Sequence, residues 1–303
     1  MSRTHVCCLL CQSPEIEPLK GYEAKHLVRC QACGFVFCGL IPTQEELLTY
    51  YQRYTREDGI SALTIARYHE RLDEFEAYRR HNRLLDVGCG NGDFLQVARQ
   101  RGWEVYGTEF TDEALAVCTA KGLNMQQGPL NPAYYAPGYF DVITSFEVIE
   151  HINTPAGEAG HMAALLRPGG LAYVTTPNFN CLARRLLGRH WGVIMYPEHL
   201  GYFTATTLRQ LFEARGFRTG RVLATGISPA RIRYDAGAWF PQPAGPPPTA
   251  AELYAPPFRR EDEQLRQQAQ ARPAVRRAIA TANWLLTQTR LGDALKAYFI
   301  REE

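Results

Sequence analysis

The stretch Leu84-Leu85-Asp86-Val87-Gly88-Cys89-Gly90-Asn91-Gly92-Asp93-Phe94-Leu95 constrains this chain more than any other: an apolar run enters three closely spaced glycines and leaves into a helical pattern. Glycines allow a sharp bend and let a bound group approach the backbone where any Cβ would collide. The turn therefore predicts a strand feeding a helix N-terminus. The pattern then repeats, with a strand over 105–107, a helix opened by Thr111 and closed by Gly122, strands over 140–145 and 171–175, and a helix over 204–215 stopped by Gly216. Alternation of this kind predicts an α/β fold whose doubly wound, mostly parallel sheet is covered on both faces.

Glu109 lies 21 residues beyond Gly88, at the end of the next strand, where a carboxylate accepts hydrogen bonds from the ribose hydroxyls of an adenosine. Gly88, Gly90 and Gly92 do not follow the G-x-G-x-x-G spacing of pyrophosphate-binding turns, which disfavours a dinucleotide. Together with the run Phe140-Asp141-Val142-Ile143-Thr144-Ser145-Phe146-Glu147-Val148-Ile149-Glu150-His151 and the later Leu166-Arg167-Pro168-Gly169-Gly170, this region resembles the class I S-adenosylmethionine-dependent methyltransferases. The resemblance covers roughly residues 80–225. It implies a Rossmann-like core with a seven-stranded sheet. It further implies that Asp86, Gly88 and Gly90 line the methionine side of the cofactor, that Glu109 holds the ribose, that Phe110 flanks the adenine, and that Phe146 and Glu147 sit near the sulfonium and the acceptor.

Cys8-x-x-Cys11 and Cys30-x-x-Cys33 stand about twenty residues apart, the spacing of a zinc ribbon in which two turns each offer two thiolates to a tetrahedral Zn2+. Cys7 is an alternative to Cys8 as ligand. A closed four-cysteine site keeps no open coordination position, so the ion's expected role is structural. The first forty residues resemble a module found ahead of the core in some methyltransferases, including sugar C-methyltransferases.

Methyl transfer to an alcohol needs alignment and a base. His151 closes the Glu147-to-His151 run on the ligand side of such sheets, and His199 lies in Pro197-Glu198-His199-Leu200-Gly201-Tyr202-Phe203. This second block resembles a stretch common among relatives of the ubiquinone-pathway O-methyltransferases. Either histidine is a candidate base, and either is also readable as a hydrogen-bonded structural imidazole. The basic, aromatic segment Arg184-Arg185-Leu186-Leu187-Gly188-Arg189-His190-Trp191 reads as a phosphate or nucleotide-sugar contact or as a solvated helix face.

The segments so defined are a zinc ribbon (1–40), a helical linker or lid (41–80) opened by the capping box Thr43-x-x-Glu46, the cofactor-binding core (81–235), a proline- and glycine-rich linker or flap (236–257), and a helical tail (258–303). The tail carries Arg276, Arg277 and Arg290 among Ile279, Trp284, Leu285 and Leu291. It suits packing on the domain or against a second copy in a homodimer better than an interfacial membrane contact. A formal net charge of +2 announces no polyanion, and neither a secretory leader nor a run of about 18 apolar residues is seen. A cytoplasmic enzyme is expected, acting on oxygen of a small-molecule or sugar-type acceptor. The competing readings are an RNA/DNA methyltransferase, a sugar C-methyltransferase, and a scaffold that binds cofactor without turnover.

Overall fold

The computed structural model describes residues 3–43, 45–47, 60–237, 261–265, 268 and 272–303. In chain order the elements are β1 (Ile16–Pro18), β2 (Leu27–Cys30), β3 (Val36–Cys38), α1 (Ala62–Phe75), β4 (Arg83–Val87), α2 (Asp93–Gln100), β5 (Glu104–Glu109), α3 (Asp112–Ala120), β6 (Asn124–Gln127), β7 (Phe140–Phe146), α4 (Pro155–Leu165), β8 (Leu166–Pro177), α5 (Leu182–Leu187), β9 (Gly201–Tyr202), α6 (Ala205–Glu213), β10 (Phe217–Thr225), α7 (Pro229–Gly237), α8 (Pro273–Thr289) and β11 (Ala294–Arg301). The backbone divides into two compact units. One gathers Met1–Glu57, Pro177–Thr207 and Leu223–Leu295; the other gathers Asp58–Thr176, Leu208–Val222 and Lys296–Glu303.

The second unit carries most of a seven-stranded sheet of order β10-β11-β8-β7-β4-β5-β6. Strands β4 to β8 pair in parallel, as the alternating strand and helix pattern requires. β4 and β7 are buried except at Arg83 and Phe146: Leu84, Leu85, Val142 and Ile143 have no exposed surface. The direction of strand order reverses between β4 and β7, so the crevice for a ligand lies beyond the C-terminal ends of these strands. At the other end of β7, Asp141 accepts from the backbone N–H of Arg80 (3.0 Å) and His81 (2.7 Å) and from Arg167 Nε (2.7 Å). Burial works against this charge, but the Arg167 guanidinium and the N–H donors outweigh it and hold the carboxyl below its ordinary value.

The cysteine-bearing unit holds a four-stranded sheet of order β1-β2-β3-β9, antiparallel throughout. β9 is two residues long and pairs with β3 from far along the chain, Val36 opposite Tyr202. Its core packs Leu27, Val36, Phe179, Cys181, Leu187, Trp191, Ile194 and Tyr202.

The tail departs from the helical expectation. α8 ends where Arg290 takes a left-handed conformation (φ 57°), and Gly292 lies so close to β10 that a Cβ would fall 2.4 Å from the backbone of Ala224. Residues 294–301 are strand β11, with Leu295, Ala297, Tyr298 and Phe299 buried. A short apolar run of this length fits a buried strand or a helix equally well in sequence, and burial decides it here. On α8, Trp284 and Leu285 are exposed. The Thr43 and Glu46 capping box forms as predicted, with Thr43 N–H donating to Glu46 Oε2 (2.7 Å) and Glu46 N–H to Thr43 Oγ1 (3.1 Å). Residues 44 and 48–59 of the predicted helical linker or lid, 238–257 of the proline-rich segment, and 258–260, 266–267 and 269–271 of the predicted helical tail lie outside the described residues. No described helix is long and apolar enough to cross a membrane.

Candidate active site

The turn between β4 and α2 places Gly88, Gly90 and Gly92 at φ 65°, 61° and 73°, a region that excludes most side chains. A Cβ on Gly88 would fall 2.7 Å from Val148 Cγ2, and one on Gly92 2.4 Å from Leu123 Cδ1. The turn is thus required by packing as well as by conformation. Lys121 braces it, donating to the Asn91 carbonyl (2.7 Å) and to Asp93 Oδ1 (2.8 Å).

Glu109 ends β5 and is 4% exposed. Its Oε2 accepts the Gly90 N–H (2.9 Å), while Oε1 accepts from the N–H groups of Phe110 (2.8 Å) and Thr111 (3.1 Å) and the Thr111 hydroxyl (3.2 Å). Four donors from two segments lock the carboxylate in orientation and couple it directly to the glycine turn. Phe110 follows with 58% of its surface exposed, a large ring presented outward.

Asp86 ends β4 at 3% exposure and accepts the Thr144 hydroxyl at 2.6 Å. Burial pushes its carboxyl up to about 8 against the Thr144 hydrogen bond, and the nearby Glu109 adds to the rise. The native chain thus keeps a proton that the unfolded chain releases near pH 4, so ligand-free stability falls as pH rises from about 4 to about 8. Asp86→Asn keeps an acceptor for Thr144. It is expected to raise the ligand-free melting temperature at pH 8 by roughly 3–6 °C, as about 2 kcal/mol does in a protein of this size, and to leave it unchanged at pH 4. An equal shift at both pH values would mean that Asp86 is ionised throughout.

At the end of β7, Phe146 packs on Phe94 (5.0 Å between centroids), Tyr173 (5.5 Å) and Tyr68 of α1 (6.4 Å). Glu147 takes φ 53°, uncommon for a residue with a side chain, while its N–H donates to the Thr175 carbonyl and hydroxyl (3.1 Å each). His151 is in the following 3-10 turn, its Nε2 3.8 Å from Glu150 Oε1. Glu150 is 1% exposed and accepts from the Thr176 hydroxyl at 2.9 Å. The sheet unit therefore brings together Asp86, Gly88, Gly90, Glu109, Phe110, Phe146, Glu147 and His151 at the strand ends. His199 belongs to the cysteine-bearing unit. There its Nδ1 lies 2.6 Å from the Val193 carbonyl; a carbonyl only accepts, so Nδ1 carries the proton and the neutral ring keeps its lone pair at Nε2.

Tyr68 escaped the sequence reading because nothing local marks it; it reaches the site through helix packing on Phe94. Burial, with Asp86 and Asp93 nearby, pushes its hydroxyl up to about 12, so it stays protonated as a donor.

The four predicted metal ligands also converge. Cys8, Cys11, Cys30 and Cys33 sulfurs lie within 4.8 Å of one another; Cys8 and Cys33 are 3.5 Å apart, and Cys11 and Cys30 3.6 Å. Both CxxC turns are built alike: Gln12 N–H donates to the Cys8 carbonyl (3.0 Å), Gly34 N–H to the Cys30 carbonyl (2.9 Å), and both residues have positive φ. Cys7 Sγ bonds Gln12 Oε1 at 3.3 Å and lies outside the group.

A model of the methyltransferase domain matches residues 52–220. A ubiquinone biosynthesis O-methyltransferase of Aeromonas salmonicida (strain A449) is 28% identical over 168 residues, 51% of this chain and 71% of that protein. A relative of the same name from Burkholderia vietnamiensis (strain G4 / LMG 22486) is 32% identical over 111 residues, 34% of this chain and about half, 48%, of its own length. Among solved structures, a SAM-dependent methyltransferase from Archaeoglobus fulgidus superimposes with a TM-score of 0.51 at 15% identity, over 84% of this chain and 99% of that one, which concerns the fold. With the family model spanning more than half of the sequence, the chain belongs to the methyltransferase-domain family and is a class I S-adenosylmethionine-dependent methyltransferase.

Proposed function

We propose that the chain methylates oxygen on a small hydroxylated acceptor, of sugar type or another pathway intermediate. The observation that carries the cofactor assignment is the fixed Glu109 carboxylate hydrogen-bonded to Gly90 of a left-handed glycine turn, beside the buried Asp86. This donor and acceptor set fits S-adenosylmethionine: the Glu109 carboxylate suits a ribose diol, the Asp86 carboxyl suits an ammonium group whose positive charge draws off its proton, and the glycines give backbone approach. In this reading Glu109 holds the ribose, Phe110 covers the adenine, Asp86, Gly88 and Gly90 line the methionine end, and Phe146 and Glu147 border the transferring group. When bound, the cofactor supplies a methyl group on a sulfonium, an electrophilic carbon with a good leaving group.

The chain's own task is then to align the acceptor and take its proton. His151 is assigned that role, with the buried Glu150 carboxylate behind its ring to stabilise the imidazolium that forms. His199, held in one tautomer by Val193, is the second candidate base. Oxygen as the acceptor atom is supported by the name of the curated relatives. Cys8, Cys11, Cys30 and Cys33 are assigned to a structural Zn2+: a tetrahedral site with Zn–S near 2.3 Å sets sulfurs roughly 3.8 Å apart, close to the spacing of the thiols.

The test is a screen of hydroxylated sugars and metabolites with S-adenosylmethionine, read by mass spectrometry for the methylated product. With a substrate in hand, His151→Gln is expected to lower kcat by about 100-fold or more, abolishing the acidic limb of the pH–rate profile, on which activity rises as a general base loses its proton, while S-adenosylhomocysteine affinity stays within threefold. An unchanged kcat in His151→Gln alongside a collapse in His199→Gln would transfer the role to His199. Product methylated on carbon would overturn the oxygen assignment.

A further inference from the structure

The cysteine-bearing unit contains an open cavity of about 390 Å3, lined by residues of two segments distant in sequence, 21–25 and 189–194. That volume is in the range of small-molecule sites, which are typically about 300–1,000 Å3. Its charged lining is unbalanced: Lys25 and Arg189 stand with one acidic side chain, Glu23, and His190 lines the same cavity. Arg189 Nε donates to His190 Nε2 at 3.4 Å, so these two groups share one wall. Tyr22, half-buried, supplies aromatic surface, and Trp191, 2% exposed, backs the wall from behind. Tyr22 is held by Arg184, which donates to its hydroxyl at 3.0 Å and stacks on Phe179 at 4.4 Å. Trp191 is buried in the unit's core, so this wall is fixed. The Glu23 carboxylate accepts the Gly21 N–H at 3.0 Å and turns toward the chain.

We propose that this cavity is a binding site for a phosphorylated small molecule, its phosphate held by Lys25 and Arg189 and its organic body lying against Tyr22. The guanidinium fork and the ammonium together suit the several acceptor oxygens of a phosphate ester better than the two of a carboxylate. The Tyr22 ring favours a ligand larger than the inorganic ion. The basic and aromatic segment 184–191 thus gains a role distinct from the cofactor site, which is built from the sheet unit.

Calorimetric titration of the full chain with uridine diphosphate and with inorganic pyrophosphate tests this. Uridine lacks adenine and so avoids confusion with the S-adenosylmethionine site. Both probes are expected to bind, uridine diphosphate the more tightly, and Lys25→Ala/Arg189→Ala is expected to weaken both at least tenfold without altering S-adenosylhomocysteine affinity. Glu23→Gln, which keeps an acceptor for Gly21, is expected to tighten both two- to fivefold, a gain that loss of structure cannot produce. No binding of either probe, or binding insensitive to these substitutions, would overturn the site. Tighter binding of pyrophosphate than of uridine diphosphate would overturn the aromatic part of the assignment.

Discussion

Glu109→Gln is expected to weaken S-adenosylmethionine and S-adenosylhomocysteine binding alike, by roughly 100- to 1,000-fold. The carboxylate's charge is what makes its hydrogen bonds to a diol strong, and hydrogen bonds to charged groups contribute about 1.5–3 kcal/mol each. Two of them lost or halved give a change of that order. The substitution also reaches the turn, because Gly90 N–H donates to Glu109 Oε2 and the Phe110 and Thr111 N–H groups to Oε1. Glutamine has one carbonyl oxygen, so it can serve one of these two sets and must present an amide to the other. The affected step is binding: at saturating cofactor kcat should recover to within a few-fold, and circular dichroism should be unchanged. Calorimetry showing affinity within threefold of the native protein would remove Glu109 from the cofactor site.

How much of this was legible beforehand follows from the range over which each feature is determined. The glycine turn and Glu109 are fixed by a single strand-turn-helix-strand unit, where steric demand at positive φ selects glycine and leaves a visible mark in the sequence. The cysteine pairs are legible because two CxxC turns are self-contained, each closed by its own backbone hydrogen bond at Gln12 and Gly34. Long-range pairing leaves no such mark. Gly201 and Tyr202 become a strand through pairing with β3, and residues 294–301 become the strand beside β8 because burial there favours it over the helix that their composition also allows. Tyr68 and the wall formed by Tyr22 and Trp191 belong to the same class. Each is made by helices and turns meeting across the fold, and no local periodicity reports such a meeting. The charge state of Asp86 is likewise a product of burial, with nothing in its neighbours' identity to announce it.

The second large effect concerns the metal. Elemental analysis of freshly purified, reduced protein is expected to find one zinc per chain, and its removal is expected to unfold β1, β2 and β3. These strands have three or four residues each, too few to hold a sheet alone. The buried Cys8 thiol shows what the ion offsets: burial pushes it up to about 11 in spite of N–H donors from Cys11 and Leu10, so without a cation this thiol is not ionised at neutral pH. Metal bound to such thiolates contributes about 10–16 kcal/mol in small zinc domains, more than the whole stability of a typical domain. Hydrogen exchange is the direct reading. After chelation, or in Cys30→Ser, protection should be lost over residues 16–38 and over Gly201 and Tyr202, which pair with β3, while β4, β5 and β7 keep theirs and S-adenosylhomocysteine still binds. Cys7→Ser is the control: its sulfur bonds Gln12 outside the cluster, so zinc content should stay at one per chain. Full protection of residues 16–38 in metal-free protein would show that the four thiols pack without an ion and that the ribbon reading is wrong.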